Sequence, residues 1–210
     1  MRKFLSIFVM LLIPMVGCSA DYVEGEHYTK VSEQASKKAE VREYFSFYCP
    51  HCLKFEPFME EVKKSLPTGV ALELNHVDFL PVASPKIQQM LSKALVVAQQ
   101  LDMEKKLTGA LFNYIQVQRA IITTEKDIRN IFVLNGADGD KFDKLMTSFS
   151  VNSKAKLMKH NQDTLTEKRA LTGVPTIMVN GQYRINPAAL DKANFMGDYN
   201  QLIAYLLALK

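Results

Sequence analysis

The sequence predicts an α/β fold: a small mixed β-sheet flanked by helices, with an all-helical subdomain inserted into it. Three observations predict it. An aromatic-rich run ends abruptly at Cys49-Pro50-His51-Cys52 and is followed by helical apolar spacing. Two short apolar runs joined by Asn180-Gly181, the strongest short hairpin cue, come only near the C-terminus. Between Asp78 and Val174 lie residues 79–173, 95 in all, where a single crossover helix needs only about 25–30.

Taken in order, residues 28–31 read as a short edge strand. Residues 41–48 (V-R-E-Y-F-S-F-Y) read as a largely buried one. Pro50 suits the first turn of a helix, where a missing N–H costs nothing. That helix runs to about Leu66-Pro67-Thr68-Gly69. Residues 70–78 (V-A-L-E-L-N-H-V-D) alternate apolar and polar for most of their length, as a strand with one covered face does. Strand, C-x-x-C, helix, strand is the start of a thioredoxin fold. It sets the second strand parallel to the first through a right-handed crossover.

Helical spacing then fills 86–101 and 104–117, with Asp102 available to cap the second. Thr124-x-x-Asp127 is a capping-box variant ahead of Ile128, Ile131, Phe132 and Leu134, and Asn135-Gly136 stops that helix. Asp138 starts another through Phe142, Leu145, Met146 and Phe149; a long helix covers 152–170. The 175–185 hairpin and a last helix over 199–209 complete the sheet domain. Met90, Met103, Phe112, Phe132, Phe142 and Phe149 are read as core. The expected organisation is a thioredoxin fold at 28–80 and 158–210 with an inserted helical domain at 81–157.

The strand–helix junction puts Cys49 at a helix N-terminus, where unpaired N–H groups and the macrodipole favour an anionic sulfur. A thiolate is the reactive form of cysteine, so the placement makes a redox thiol. Two other readings exist. Half a zinc site would need two further ligands, but His27, His76 and His160 are scattered singly and no second cysteine pair exists. A structural disulfide closing so short a loop would add little.

Met1-Arg2-Lys3 precedes a run from Phe4 to Val16 that only Ser6 interrupts. The run is too short for a stable membrane span, so residues 1–17 read as a signal peptide. Met15-Val16-Gly17-Cys18 resembles the bacterial lipobox, in which the cysteine is lipidated; cleavage near Ala20 by an ordinary peptidase is the alternative. Three cysteines are odd for an exported protein. Assigning Cys18 to lipid leaves only the C-x-x-C pair. Residues 18–27 then form a lipidated polar tether. The net charge of +4 falls to +2 once Arg2 and Lys3 are removed, which points to neither nucleic acid nor an acidic surface as partner.

Glu43–Glu56 (E-Y-F-S-F-Y-C-P-H-C-L-K-F-E), His76–Phe79 (H-V-D-F), Asp127–Phe132 (D-I-R-N-I-F) and Gly173–Tyr183 (G-V-P-T-I-M-V-N-G-Q-Y) together resemble the DsbA family of periplasmic thiol oxidases. The resemblance covers 28–210, and the lipobox makes the chain look like the membrane-anchored members. It implies Cys49 as the nucleophilic sulfur, Cys52 as the buried resolving one, and Pro50 and His51 between them, with His51 stabilising the Cys49 thiolate. Pro175 matches the family's cis-proline, and Val174 would offer backbone groups to an extended substrate. Glu43 matches a buried acid beneath the cysteines, able to take a proton from Cys52, with Glu56 as a second candidate. The best-known member has a lysine where this chain has Leu74, so charge balance for Glu43 must come from elsewhere. His76 reads as structural.

The resemblance also implies partners: reduced, unfolded exported proteins as substrates, and a quinone-linked membrane oxidase of the DsbB type to restore the disulfide. The expected protein is a periplasmic monomer, held at the inner membrane by Cys18, with no metal and no organic cofactor. An isomerase or reductase is the same-chemistry alternative, disfavoured because the chain shows no dimerisation domain and carries His at the second variable position. A metal-binding chaperone using Cys49, His51 and Cys52 is an alternative of another class, as is a binding lipoprotein with a vestigial thioredoxin fold.

Overall fold

The structure, a computed structural model, describes residues 22–209. Five strands, β1 (Tyr28–Lys30), β2 (Glu40–Phe45), β3 (Ala71–His76), β4 (Thr176–Val179) and β5 (Tyr183–Ile185), form one sheet in the order β1-β5-β4-β2-β3. β2 and β3 are parallel, with Glu43 opposite Leu74 and Phe45 opposite His76. The other neighbouring pairs are antiparallel. Asn180 and Gly181 both take positive φ (51° and 65°) at the β4–β5 turn, the backbone that tight hairpins need and that Asn-Gly accepts at least cost.

Helix α1 (Pro50–Ser65) makes the crossover from β2 to β3, and α7 (Phe195–Ala208) packs beside it. One sheet face buries Val41, Ile177 and Val179 with Met59 and Val62 of α1 and Tyr199, Leu202, Ile203 and Leu206 of α7. Tyr44 and Met178, alternating to the opposite face, pack with Leu165. The insertion contributes α2 (Pro85–Gln100), α3 (Glu104–Phe112), α4 (Glu125–Leu134), α5 (Gly139–Thr147) and α6 (Phe149–Glu167). Its apolar interior, including Leu95, Leu111, Phe112, Phe132 and Phe142, is continuous with Phe45, Phe47, Cys49 and Cys52. The cysteine pair therefore sits at the seam between insertion and sheet.

Local signals explain most of the helix ends. Ser84, Asp138 and Ser148 each accept backbone N–H groups at a helix start, and Thr124 with Asp127 completes a reciprocal capping box. Several expectations are corrected. Asp102 does not cap α3: it lies at φ 54°, and the cap position is Met103. The helix expected over 104–117 is α-helical only to Phe112 and then widens into a π-helical turn, Asn113–Val117. β2 stops at Phe45, and 46–48 form a turn that leads into Cys49. Phe149, read as core, is 88% exposed on the first turn of α6. The boundary drawn between 157 and 158 falls inside α6, which is one unbroken helix from insertion to sheet.

The tether is also shorter than expected. Cys18 and the signal peptide lie outside the described residues, but 22–27 are docked on the body. The Tyr22 ring is buried against Tyr205 and His27. Its hydroxyl donates to the carboxylate and the backbone carbonyl of Asp198 in α7.

Candidate active site

Pro50 opens α1, and Cys49 is the cap residue before it, extended at φ −93°, ψ 114°. That backbone turns the Cys49 sulfur back over the helix start, where Sγ accepts the Cys52 N–H at 3.4 Å. The antiparallel pairing of Tyr44 with Thr176 carries the chain just before β4 to the same end of β2. There the Val174 carbonyl accepts from Cys49 Sγ at 3.3 Å, and the Val174–Pro175 peptide is cis. Cys49, Cys52, Val174 and Pro175 are thus brought together from two distant stretches of sequence.

Both cysteines are free thiols. Cys52 is almost wholly enclosed, and burial pushes its thiol well above the ordinary range; the Ser46 backbone opposes this, and neighbouring Cys49 and Glu43 add to it. Pro50 and His51 are exposed. The His51 ring makes no hydrogen bond among the described residues, to the Cys49 sulfur or to any other group.

Glu43 faces into a narrow cleft shared with Cys52, Glu56, Leu74 and Thr108. Burial, with repulsion from Glu56, pushes its carboxyl up to about 8. Glu56 is raised as well, by burial and then Glu60, with Lys105 opposing. The cleft mouth carries two ion pairs, Lys63–Glu104 at 3.2 Å and Lys105–Glu60 at 2.8 Å. The Thr108 hydroxyl is buried without a hydrogen-bond partner among the described residues. His76 is apart from this chemistry: its Nδ1 meets Ser92 at 3.0 Å, its ring stacks on Phe47, and burial pushes it down to about 3.

Gln116 was not singled out in the sequence. Its side-chain amide donates to the carbonyls of Phe47 and Cys49. Nothing in the apolar spacing of 104–117 marks it, because its partners lie 67 and 69 residues away. Among the described residues, no group of three or more His, Cys, Asp or Glu side chains could hold a metal ion. None of their helices is long and apolar enough to cross a membrane.

A buried dithiol at a helix start, faced by a carbonyl from the loop before a neighbouring strand, defines the class: thiol:disulfide oxidoreductases with a thioredoxin fold. Comparison with known proteins narrows the class. Residues 40–197 match the model of the DSBA-like thioredoxin domain. The chain is 36% identical to the thiol:disulfide interchange protein DsbA of Haemophilus influenzae over 206 residues, 97% of this chain and 96% of that one. It is 32% identical to DsbA of Escherichia coli K12 over 212 residues, 98% of each. The crystal structure of Proteus mirabilis DsbA superposes with a TM-score of 0.78 at 29% identity, covering 90% of this chain and 98% of that one. A complex of the same enzyme with a non-covalently bound peptide gives 0.79 at 29% identity, covering 90% and 100%. The chain belongs to the DsbA family, and it is a thiol:disulfide oxidase.

Proposed function

We propose that this protein donates a Cys49–Cys52 disulfide to reduced, newly exported proteins in the periplasm. The observation that carries the assignment of roles is the contrast between the two sulfurs. Cys49 Sγ sits at the start of α1 with an N–H at 3.4 Å, whereas Cys52 is enclosed behind it. A substrate thiolate attacks Cys49 Sγ, the Cys49–Cys52 bond breaks, and Cys52 leaves as a thiolate. Glu43 carries a proton at neutral pH and gives it to that buried sulfur; in the reverse step it takes the proton back. A second substrate thiolate then attacks the substrate sulfur of the mixed disulfide. The substrate leaves oxidised, and Cys49 leaves as a thiolate facing the helix N-terminus.

Val174 offers its carbonyl, and Pro175 its ring, to an extended client strand beside Cys49. The peptide held by Proteus mirabilis DsbA supports a peptide-binding surface in this chain. Glu56 relays protons between Glu43 and the cleft mouth. His51, exposed between the two cysteines, is assigned to stabilising the Cys49 thiolate. Cys18 anchors the protein by lipid at the inner membrane, within reach of a DsbB-type quinone-linked oxidase that restores the disulfide.

Mixing the oxidised protein with a reduced, unfolded disulfide protein and counting thiols tests the oxidase role. Two thiols should vanish from the client and two appear on Cys49 and Cys52 for each disulfide transferred, so the count is made on the separated client. An unchanged client count would sink the role. Cys18→Ala should abolish lipid labelling and membrane fractionation while leaving exchange intact; a variant that still pelleted with membranes would place the anchor elsewhere.

A further inference from the structure

The side chain of Gln116 bridges the helical insertion and the C-x-x-C turn. Its Nε2 donates to the Phe47 carbonyl at 2.7 Å and to the Cys49 carbonyl at 2.9 Å. An amide nitrogen carries two hydrogens, and both are engaged. Phe47 is fully buried, and its carbonyl takes no other hydrogen bond among the described residues. The Cys49 carbonyl already accepts from the N–H groups of Cys52 and Leu53, which open the α1 ladder. One side chain thus fixes the two carbonyls that bracket Tyr48 and lead into the Cys49 sulfur.

The backbone that supplies this side chain is itself unusual. Gln116 lies in the π-helical turn Asn113–Val117, closed by Gln118 N–H on the Asn113 carbonyl at 2.9 Å. Such turns are rare and concentrate at functional sites. Here the wide turn ends α3 and leaves Gln116 partly buried while Val117 and Gln118 face solvent.

We propose that Gln116 is a positioning residue for thiol–disulfide exchange. By holding the Phe47 and Cys49 carbonyls, it keeps Cys49 Sγ beside the Cys52 N–H at the start of α1. The inference rests on Cys49 being the attacked sulfur. An anionic sulfur gains most from hydrogen bonds at a helix start, so the reduced protein loses most when that geometry slackens. Without the Gln116 amide the protein is a weaker oxidant.

The test is the equilibrium of the full protein with glutathione, in which the protein disulfide and two glutathione thiols give the protein dithiol and glutathione disulfide. Gln116→Met keeps the volume and removes both donors. Its equilibrium constant should move toward the protein disulfide by about three- to tenfold, tenfold being about 30 mV. The midpoint of thiolate absorbance against pH should rise alongside. Gln116→Asn, one methylene too short to reach both carbonyls, should shift the same way and decides the matter if the methionine variant fails to fold. Folded variants within about twofold of wild type in the glutathione equilibrium, even if they melt lower, would make Gln116 a structural tie and overturn the proposal. Failure of both variants to fold would overturn it too, since the tie would then be a folding requirement. Wild type that does not exchange with glutathione at all would instead overturn the oxidase role itself.

Discussion

Glu43 and Leu74 stand opposite one another across the parallel pair β2–β3. A buried carboxyl thus lies beside an isobutyl group and, among the described residues, forms no ion pair. Burial then decides its state, pushing it up to about 8 against an ordinary 4.5. The folded protein holds a proton between those values that the unfolded chain has released. Stability therefore falls as pH climbs from about 4.5 to 8. Glu43→Gln has no such proton, so its stability relative to wild type should rise across that window, by up to about 1.4 kcal/mol per pH unit. Leu74→Lys should flatten the wild-type curve by holding Glu43 ionised. Guanidinium melts at pH 5, 6.5 and 8 check both, and parallel pH curves for wild type and Glu43→Gln would refute the raised carboxyl.

The two sulfurs are both buried but differ in setting, Cys49 Sγ lying at the start of α1 beside the Val174 carbonyl, and their variants should differ in what they trap. Cys52→Ser removes the thiol that would expel a bound client, so mixed disulfides through Cys49 should accumulate. Cys49→Ser leaves only the enclosed Cys52 and should trap several-fold fewer. Non-reducing gels of cells expressing each variant measure this. Equal trapping would mean that the attacked sulfur is misassigned.

Tyr22 makes the start of the described chain part of the body. Its hydroxyl lies on Asp198, and its ring on Tyr205. Tyr22→Phe keeps the ring and loses a charge-assisted hydrogen bond, which should cost about 1–2 kcal/mol. Tyr22→Ala also loses the buried ring and should cost about 3 kcal/mol or more. Client oxidation should be unchanged in both, because Tyr22 packs in the apolar cluster around α7 and not in the one that holds Cys49. Denaturant melts that match wild type would show that 22–27 contribute nothing to the body.

What the sequence made legible was coded locally. The parallel β2–β3 pair follows from alternation, a crossover length and a helix-start proline. The β4–β5 turn follows from Asn180-Gly181, whose backbone few other residues tolerate. Both cysteines are marked by their spacing and by the strand that delivers them. The misread features depend on partners far along the chain or on one torsion. Tyr22 sits in a polar stretch, and Asp198, 176 residues later, draws it in. Asp102 has the side chain of a cap, yet its positive φ makes it the turn between α2 and α3. Phe149 fits the apolar spacing, but on the first turn of α6 it points outward. The Gln116 contact arises only once insertion and sheet are packed together.

Cys52 offers a final test, of how completely the fold encloses it. Burial raises its thiol well above the ordinary 9. In the unfolded chain it ionises near that ordinary value. Sign follows directly: this is an acid whose folded value is raised, so its contribution is complete below pH 9 and is lost as pH rises beyond it. Cys49→Ser isolates the effect, in a Cys18→Ala background where Cys52 is the last remaining thiol. Against the same protein with Cys52→Ser added, its stability should hold constant from pH 7 to 8.5. It should then fall by up to about 1.4 kcal/mol per pH unit. Lysines and tyrosines titrate equally in both proteins and cancel. Paired melts at pH 7, 8.5 and 10 give the answer: a difference that stays flat to pH 10 would mean that Cys52 ionises in the folded state as easily as in the unfolded chain. The sulfur would then be open to solvent, and Glu43 would have no buried thiolate to protonate.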